Sequence, residues 1–172
     1  MTDQTEKPRL SDADMLARFR NSKKRPACSD TLGMDLAEVH QDEMRVVVNF
    51  TAHESFANPT GAIQGGFIAA MLDEAISTNI IIASNVTMTA PTLEMKVSYL
   101  APLFVGPAKV EAKILKFGKS VCFSEASCFD PDGKLVATAT ATAAPRAFKR
   151  FCAKPISIFR LLTVKSDALA RF

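Results

Sequence analysis

Residues 58–84, NPTGAIQGGFIAAMLDEAISTNIIIAS, constrain this chain more than any other stretch, because turn formers feed a long apolar segment with two carboxylates at its middle. Asn58, Pro59 and Gly61 favour a turn, and Gly65-Gly66 allows backbone to approach a neighbour closely. From Phe67 onward apolar residues fall on almost every side of a helical wheel, which describes a helix buried nearly all round. At about 3.6 residues per turn Asp73 shares a stripe with Gly66, Ala69, Ala70, Ile76, Ser77 and Ile80, so its carboxylate emerges among small and apolar neighbours. Such a group points to chemistry; the alternative is a narrow solvated strip shared with Glu74, since acidic side chains ordinarily stay exposed. Two central carboxylates are costly in hydrocarbon, so the segment reads as a core helix and not as a bilayer span.

The rest of the central region reads as strands and tight turns. Val46, Val47 and Val48 favour extended structure over 45–50, and strands follow the helix at 92–100, 108–117, 120–129 and 134–143. The breaks fall at 101–107, at Gly118-Lys119 and at Asp130-Pro131-Asp132-Gly133, and the two shortest connections predict antiparallel hairpins. The last strand alternates alanine and threonine from Ala137 to Ala143, and a face built only of methyl groups suits close approach of a helix. One long buried helix with about five antiparallel strands makes an α+β domain. Ahead of it, Ser11-Asp12-Ala13-Asp14 starts a short amphipathic helix with Met15, Leu16 and Phe19 inward.

Charge divides the chain further. Residues 1–30 carry seven basic and five acidic groups, 31–145 carry seven and twelve, and 146–172 carry seven and one, which together give the net charge of +3. The organisation is therefore an N-terminal extension (1–30), a central domain (31–145) and a basic, apolar C-terminal tail (146–172). The tail can cover the sheet, bind a partner subunit or lie on an anionic membrane, in that order, because basic groups without tryptophan are a weak membrane signal. No groove-reading motif accompanies it, so no nucleic-acid partner is expected.

Cys28, Cys122, Cys128 and Cys152 show no C-x-x-C spacing, which argues against a zinc knuckle. Cys122 and Cys128 on one strand lie about 20 Å apart, beyond disulfide reach. The pattern reads as reduced thiols in a cytoplasmic protein, and the N-terminus has no charged-then-apolar signal pattern, while its Asp3, Glu6, Asp12 and Asp14 argue against a transit peptide. With only His40 and His53 present, a His-rich metal site or a Ser-His-Asp triad has little material, so neither a metal nor a separate cofactor is expected.

The series Asn58-x-x-Gly61-x-x-Gln64-Gly65-Gly66 followed by Asp73 resembles the signature of hotdog-fold acyl-CoA thioesterases of the phenylacetate-pathway (PaaI-like) branch. The resemblance continues through Thr92, Tyr99, Leu100, Pro102, Gly106, Gly118 and Asp132-Gly133, and so covers 31–145. One position departs: the family commonly has His where this chain has Gln64. The resemblance implies a hotdog fold, with a curved sheet wrapped around the central helix, and hydrolysis of an acyl- or aryl-acyl-CoA.

Thioester hydrolysis needs a stabiliser for the developing oxyanion and a carboxylate or other base that acts on water or on the carbonyl carbon. The Gly65 N–H, at a helix N-terminus, fits the first role, although Gly65-Gly66 also has the plain reading of relieving packing. Asp73 fits the second as base or nucleophile, with Glu74 as a substitute. By resemblance Asn58 orients the water or nucleophile, Gln64 bonds the thioester carbonyl, and Thr92 holds the attacking water. Lys116, Gly118 and Lys119 then contact the nucleotide end of coenzyme A, while hairpin lysines are ordinarily just solubilising. Gly66 belongs to the substrate-binding turn, and Phe67 and Met88 are candidates to line an aromatic or aliphatic acyl pocket. Gly65 and Asp73 lie about 12 Å apart along one helix, which predicts a site shared between two subunits. The resemblance implies the same homodimer, often paired into tetramers. The alternative function is a non-catalytic acyl-CoA-binding module of the same fold.

Overall fold

The computed structural model describes residues 8–22 and 25–148. The segment 149–172, and with it the expected role of the tail, lies outside them. Helix α1 (Asp12–Arg20) begins where Ser11 accepts a hydrogen bond from the Asp14 N–H, and it buries Met15 completely. A short helix, α2 (Ala27–Thr31), follows and packs the buried Ser29 inward. The long helix α3 (Gly65–Ala83) fills the centre, with Met71, Leu72, Ile76 and Ile80 at 1% exposure or less.

The main sheet has six antiparallel strands where the sequence predicts about five. These are β1 (Asp35–His40), β2 (Arg45–Ala52), β4 (Thr92–Tyr99), β5 (Gly106–Phe117), β6 (Cys122–Phe129) and β7 (Leu135–Ala143), in the order β1-β2-β5-β6-β7-β4. The additional strand is β1, whose alternation is broken by a register shift between Leu36 and Glu38 and masked by Asp35, Glu38 and His40. The two-residue strands β3 (Met88–Thr89) and β8 (Arg146–Ala147) pair in a separate ribbon.

The sheet faces α3 with small and branched side chains. Val46, Val48 and Phe50 from β2, Val110 and Ala112 from β5, and Cys122, Ala126 and Cys128 from β6 are buried there. On β7 the alanines Ala137, Ala139, Ala141 and Ala143 face inward, as the alternation predicts, and the threonines face out. Asn79 on α3 is one of the buried polar residues, with Thr78 and Ser124. Its Nδ2 donates to the Met44 carbonyl at 2.8 Å and to the Ala112 carbonyl at 3.1 Å, tying the helix to the sheet.

Two consequences of this topology position the site. Strand β4 is a sheet edge, exposed along most of its length beside α3. The register Thr92↔Ala143, Ala143↔Cys122, Cys122↔Phe117 puts the β5–β6 hairpin at the same end of the sheet as Thr92.

Candidate active site

The turn before α3 is built by Asn58. Its Oδ1 accepts from the Thr60 N–H at 2.9 Å and the Thr60 hydroxyl at 2.6 Å, and its carbonyl accepts from Gly61, which sits at φ 82° where glycine is at ease. The Asn58 Nδ2 group makes no hydrogen bond among the described residues. The turn delivers Gln64 to the N-cap of α3, where its Oε1 accepts from the Gly66 N–H at 2.8 Å. The predicted thioester contact therefore has its carbonyl oxygen engaged in its own helix.

Gly65 is the first helical residue. Its N–H has no partner among the described residues, although those of Ile63, Gln64, Gly66 and Phe67 are all bonded. That donor sits where the helix dipole favours negative charge, beside a cleft of about 470 Å³ lined by Asn58, Ile63, Gly65, Ile68, Tyr99 and Leu103. Tyr99 is part of the cleft, and its hydroxyl donates to the Gly65 carbonyl at 2.8 Å. A Cβ at position 65 would lie 3.0 Å from the Tyr99 ring, which is why a glycine fits here.

Asp73 lies two turns further along α3 and is half-buried. The Thr92 hydroxyl donates to its Oδ1 at 2.6 Å, and no ion pair neutralises the carboxylate among the described residues. The structure thus joins Asp73 to Thr92, and sets Gly65 and Asn58 together along one cleft, as two separate groups. Glu74 points elsewhere: its Oε1 accepts from the buried Ser29 hydroxyl at 2.5 Å, beside a cavity of about 150 Å³ under the N-terminal extension. Phe67 stacks on Phe56 with centroids 4.0 Å apart, and Met88 sits in the β3–β8 ribbon. In the hairpin, the Gly118 N–H bonds the Val121 carbonyl, and a Cβ on Gly118 would meet that oxygen at 2.5 Å, so Gly118 shapes the turn between Lys116 and Lys119.

Other chemistry has less support. Burial pushes the Cys128 thiol up to about 12 and the Cys122 thiol in the same direction, which keeps both protonated and non-nucleophilic. No cluster of His, Cys, Asp and Glu suited to a metal ion occurs among the described residues. The sequence reading missed Tyr99 and Ser29 as partners of site residues. Tyr99 did carry a signal, as the chain's single tyrosine.

A long central helix wrapped by a curved antiparallel sheet is the architecture of the hotdog thioesterase fold. The model of the thioesterase superfamily matches residues 60–137, and the chain belongs to that superfamily. A candidate esterase of Saccharolobus solfataricus is 32% identical over 107 residues, covering 62% of this chain and 75% of the relative. The crystal structure of a candidate thioesterase from Ralstonia eutropha JMP134, a phenylacetic acid degradation-related protein, is 31% identical with a TM-score of 0.71, covering 76% of this chain and 98% of that one. It agrees with the phenylacetate-pathway resemblance. A Streptococcus mutans UA159 protein bound to acetyl CoA shares the fold at 17% identity and TM-score 0.62, covering 74% of this chain and 97% of that one.

Proposed function

We propose that this chain is a cytoplasmic acyl-CoA thioesterase that works as a homodimer, with Asp73 of one subunit and the Gly65 N–H of the other acting on one thioester. The observation that carries the reading is the unpartnered Gly65 N–H, which opens on the cleft at the start of a 19-residue helix. A carbonyl oxygen that gains negative charge in the transition state takes that donor with no rearrangement of the protein. Asp73 supplies the base or nucleophile, and Thr92 holds its carboxylate in one orientation. Acetyl CoA bound to the Streptococcus mutans fold makes acyl-CoA the natural ligand class.

Distance and exposed surface support the dimer. Gly65 and Asp73 are eight positions apart on α3, about 12 Å, whereas both must lie within about 3 Å of the reacting atoms. Strand β4 offers an unpaired edge, and Tyr99, Leu100, Phe104 and Val105 leave 52%, 58%, 60% and 51% of their surface exposed close to the half-site at Gly65. A second copy across a two-fold axis covers that apolar surface and sets Asp73 of each helix opposite Gly65 of the other.

The test is release of free coenzyme A from a panel of short, medium and aromatic acyl-CoAs by wild type and Asp73→Asn. Removal of the carboxylate should lower kcat by about 10²-fold to 10⁴-fold with the fold intact. Equal rates would remove Asp73 from the mechanism. Tight acyl-CoA binding without turnover in the wild type would make the chain a binding module instead.

A further inference from the structure

We propose that Tyr99 and Gln64 form a two-sided clamp on the peptide joining Gly65 to Gly66, and that this clamp positions the Gly65 N–H as the oxyanion donor. The inference rests on the thioesterase reading above. Tyr99 and Gln64 are positioning residues in it, because they act on the backbone and not on the substrate.

The two hydrogen bonds fall on one peptide unit. The Tyr99 hydroxyl holds its oxygen, the Gly65 carbonyl, at 2.8 Å, and the Gln64 Oε1 holds its hydrogen, the Gly66 N–H, at 2.8 Å. Because the unit is planar, fixing its oxygen and its hydrogen fixes the orientation of the whole plane. A diglycine is otherwise the least restrained step a chain can take. On the other side the backbone is also tied, by Ile63 N–H to the Leu103 carbonyl and Gln64 N–H to the Phe56 carbonyl, each at 2.8 Å. The Gly65 N–H stands between these anchored units and has no partner among the described residues. Preorganisation is what gives an oxyanion donor its value, since a donor that must first be ordered stabilises the transition state less.

The residue types fit this role. Ser, Thr, Asp and Asn are the usual N-caps, so a glutamine whose longer arm curls back to the second helical residue is a departure with a local use. Tyr99 ends the exposed edge strand β4, 34 positions away in sequence, and its ring lies 3.0 Å from where a Cβ at position 65 would stand, so a side chain there shifts the ring by a few tenths of an ångström.

The experiment uses the full chain with Tyr99→Phe, Gln64→Ala, Gln64→Asn and the double variant Tyr99→Phe/Gln64→Ala. Tyr99→Phe should lower kcat about tenfold, the size of one net hydrogen bond, and leave KM within about twofold. Gln64→Ala should fall similarly, and Gln64→Asn should restore most of that loss, because asparagine also accepts from the second helical N–H. The double variant should lose less than the product of the two, since both bonds hold one peptide. A Tyr99→Phe kcat equal to wild type overturns the clamp, and so does a Gln64→Asn variant as slow as Gln64→Ala, which would mean that the glutamine acts by reaching the substrate. Amide exchange of Gly65 in protein labelled with ¹⁵N-glycine gives a reading that needs no turnover. Faster exchange in Tyr99→Phe supports the clamp and unchanged exchange refutes it, so the proposal is decided even if the wild type hydrolyses no acyl-CoA and the thioesterase reading fails.

Discussion

Replacing Thr92 by valine isolates the bond that orients the carboxylate. The side chain keeps its branched shape on strand β4, where Thr92 is exposed, and loses only the hydroxyl that donates to Asp73 at 2.6 Å. That length lies in the range of a short charge-assisted bond, and such bonds contribute about 1.5–3 kcal/mol. Full expression in the transition state would correspond to about 10-fold to 100-fold in rate. Exposure lets water replace part of the hydroxyl's donation, so the lower end is expected, about tenfold in kcat. KM should change little, because Thr92 acts through Asp73. Thr92→Ser retains the donor and should recover most of the rate. The assay is steady-state thiol release with the best acyl-CoA of the panel, alongside thermal unfolding to show that the fold is unchanged. A valine variant with wild-type kcat, or a serine variant as slow as valine, would refute the assignment of Thr92 as the group that holds the carboxylate.

Stability predictions come from the core. Asn79→Ala strips two carbonyls of their donor and leaves a small void, which should cost about 2–4 kcal/mol and appear as a lower midpoint in urea unfolding; a loss under about 0.5 kcal/mol would contradict the role given to that amide. The Cys128 thiol is raised from 9.0 to about 12 by burial, so its contribution is complete below pH 9 and is lost as pH climbs from about 9 towards 12. Stability measured across that window should fall less steeply in Cys128→Ala than in wild type, and parallel curves would show that the buried thiol does not set the alkaline limb.

Sequence reading succeeded where chemistry is local. The apolar wheel of α3, the glycine turns and the alanine face of β7 each follow from a single periodicity, and all three stand where the pattern places them. Strand β1 was hidden because a bulge shifts its alternation by one residue and three charged or polar side chains occupy its outer face. Adjacency on α3 could not tell that Asp73 faces Thr92 while Glu74 turns about 100° away to meet Ser29, because the direction of a neighbouring element is not written in the helix itself. The link from Tyr99 to Gly65 needed the position of the edge strand, a long-range outcome of sheet order.

The shared site is the central claim, and subunit mixing tests it most directly. One chain carries Asp73→Asn and the other Gly65→Pro, which removes the N–H while proline suits a first helical position. Gln64 at φ −63° and ψ 133° already has the extended geometry that precedes proline. Each homodimer should be nearly inactive. After equal mixing and exchange, half the dimers pair the two chains and each holds one intact site, so activity should rise to about a quarter of wild type. Activity that stays at the level of the separate variants, with exchange demonstrated by mass-labelled subunits, would contradict a site built from two chains.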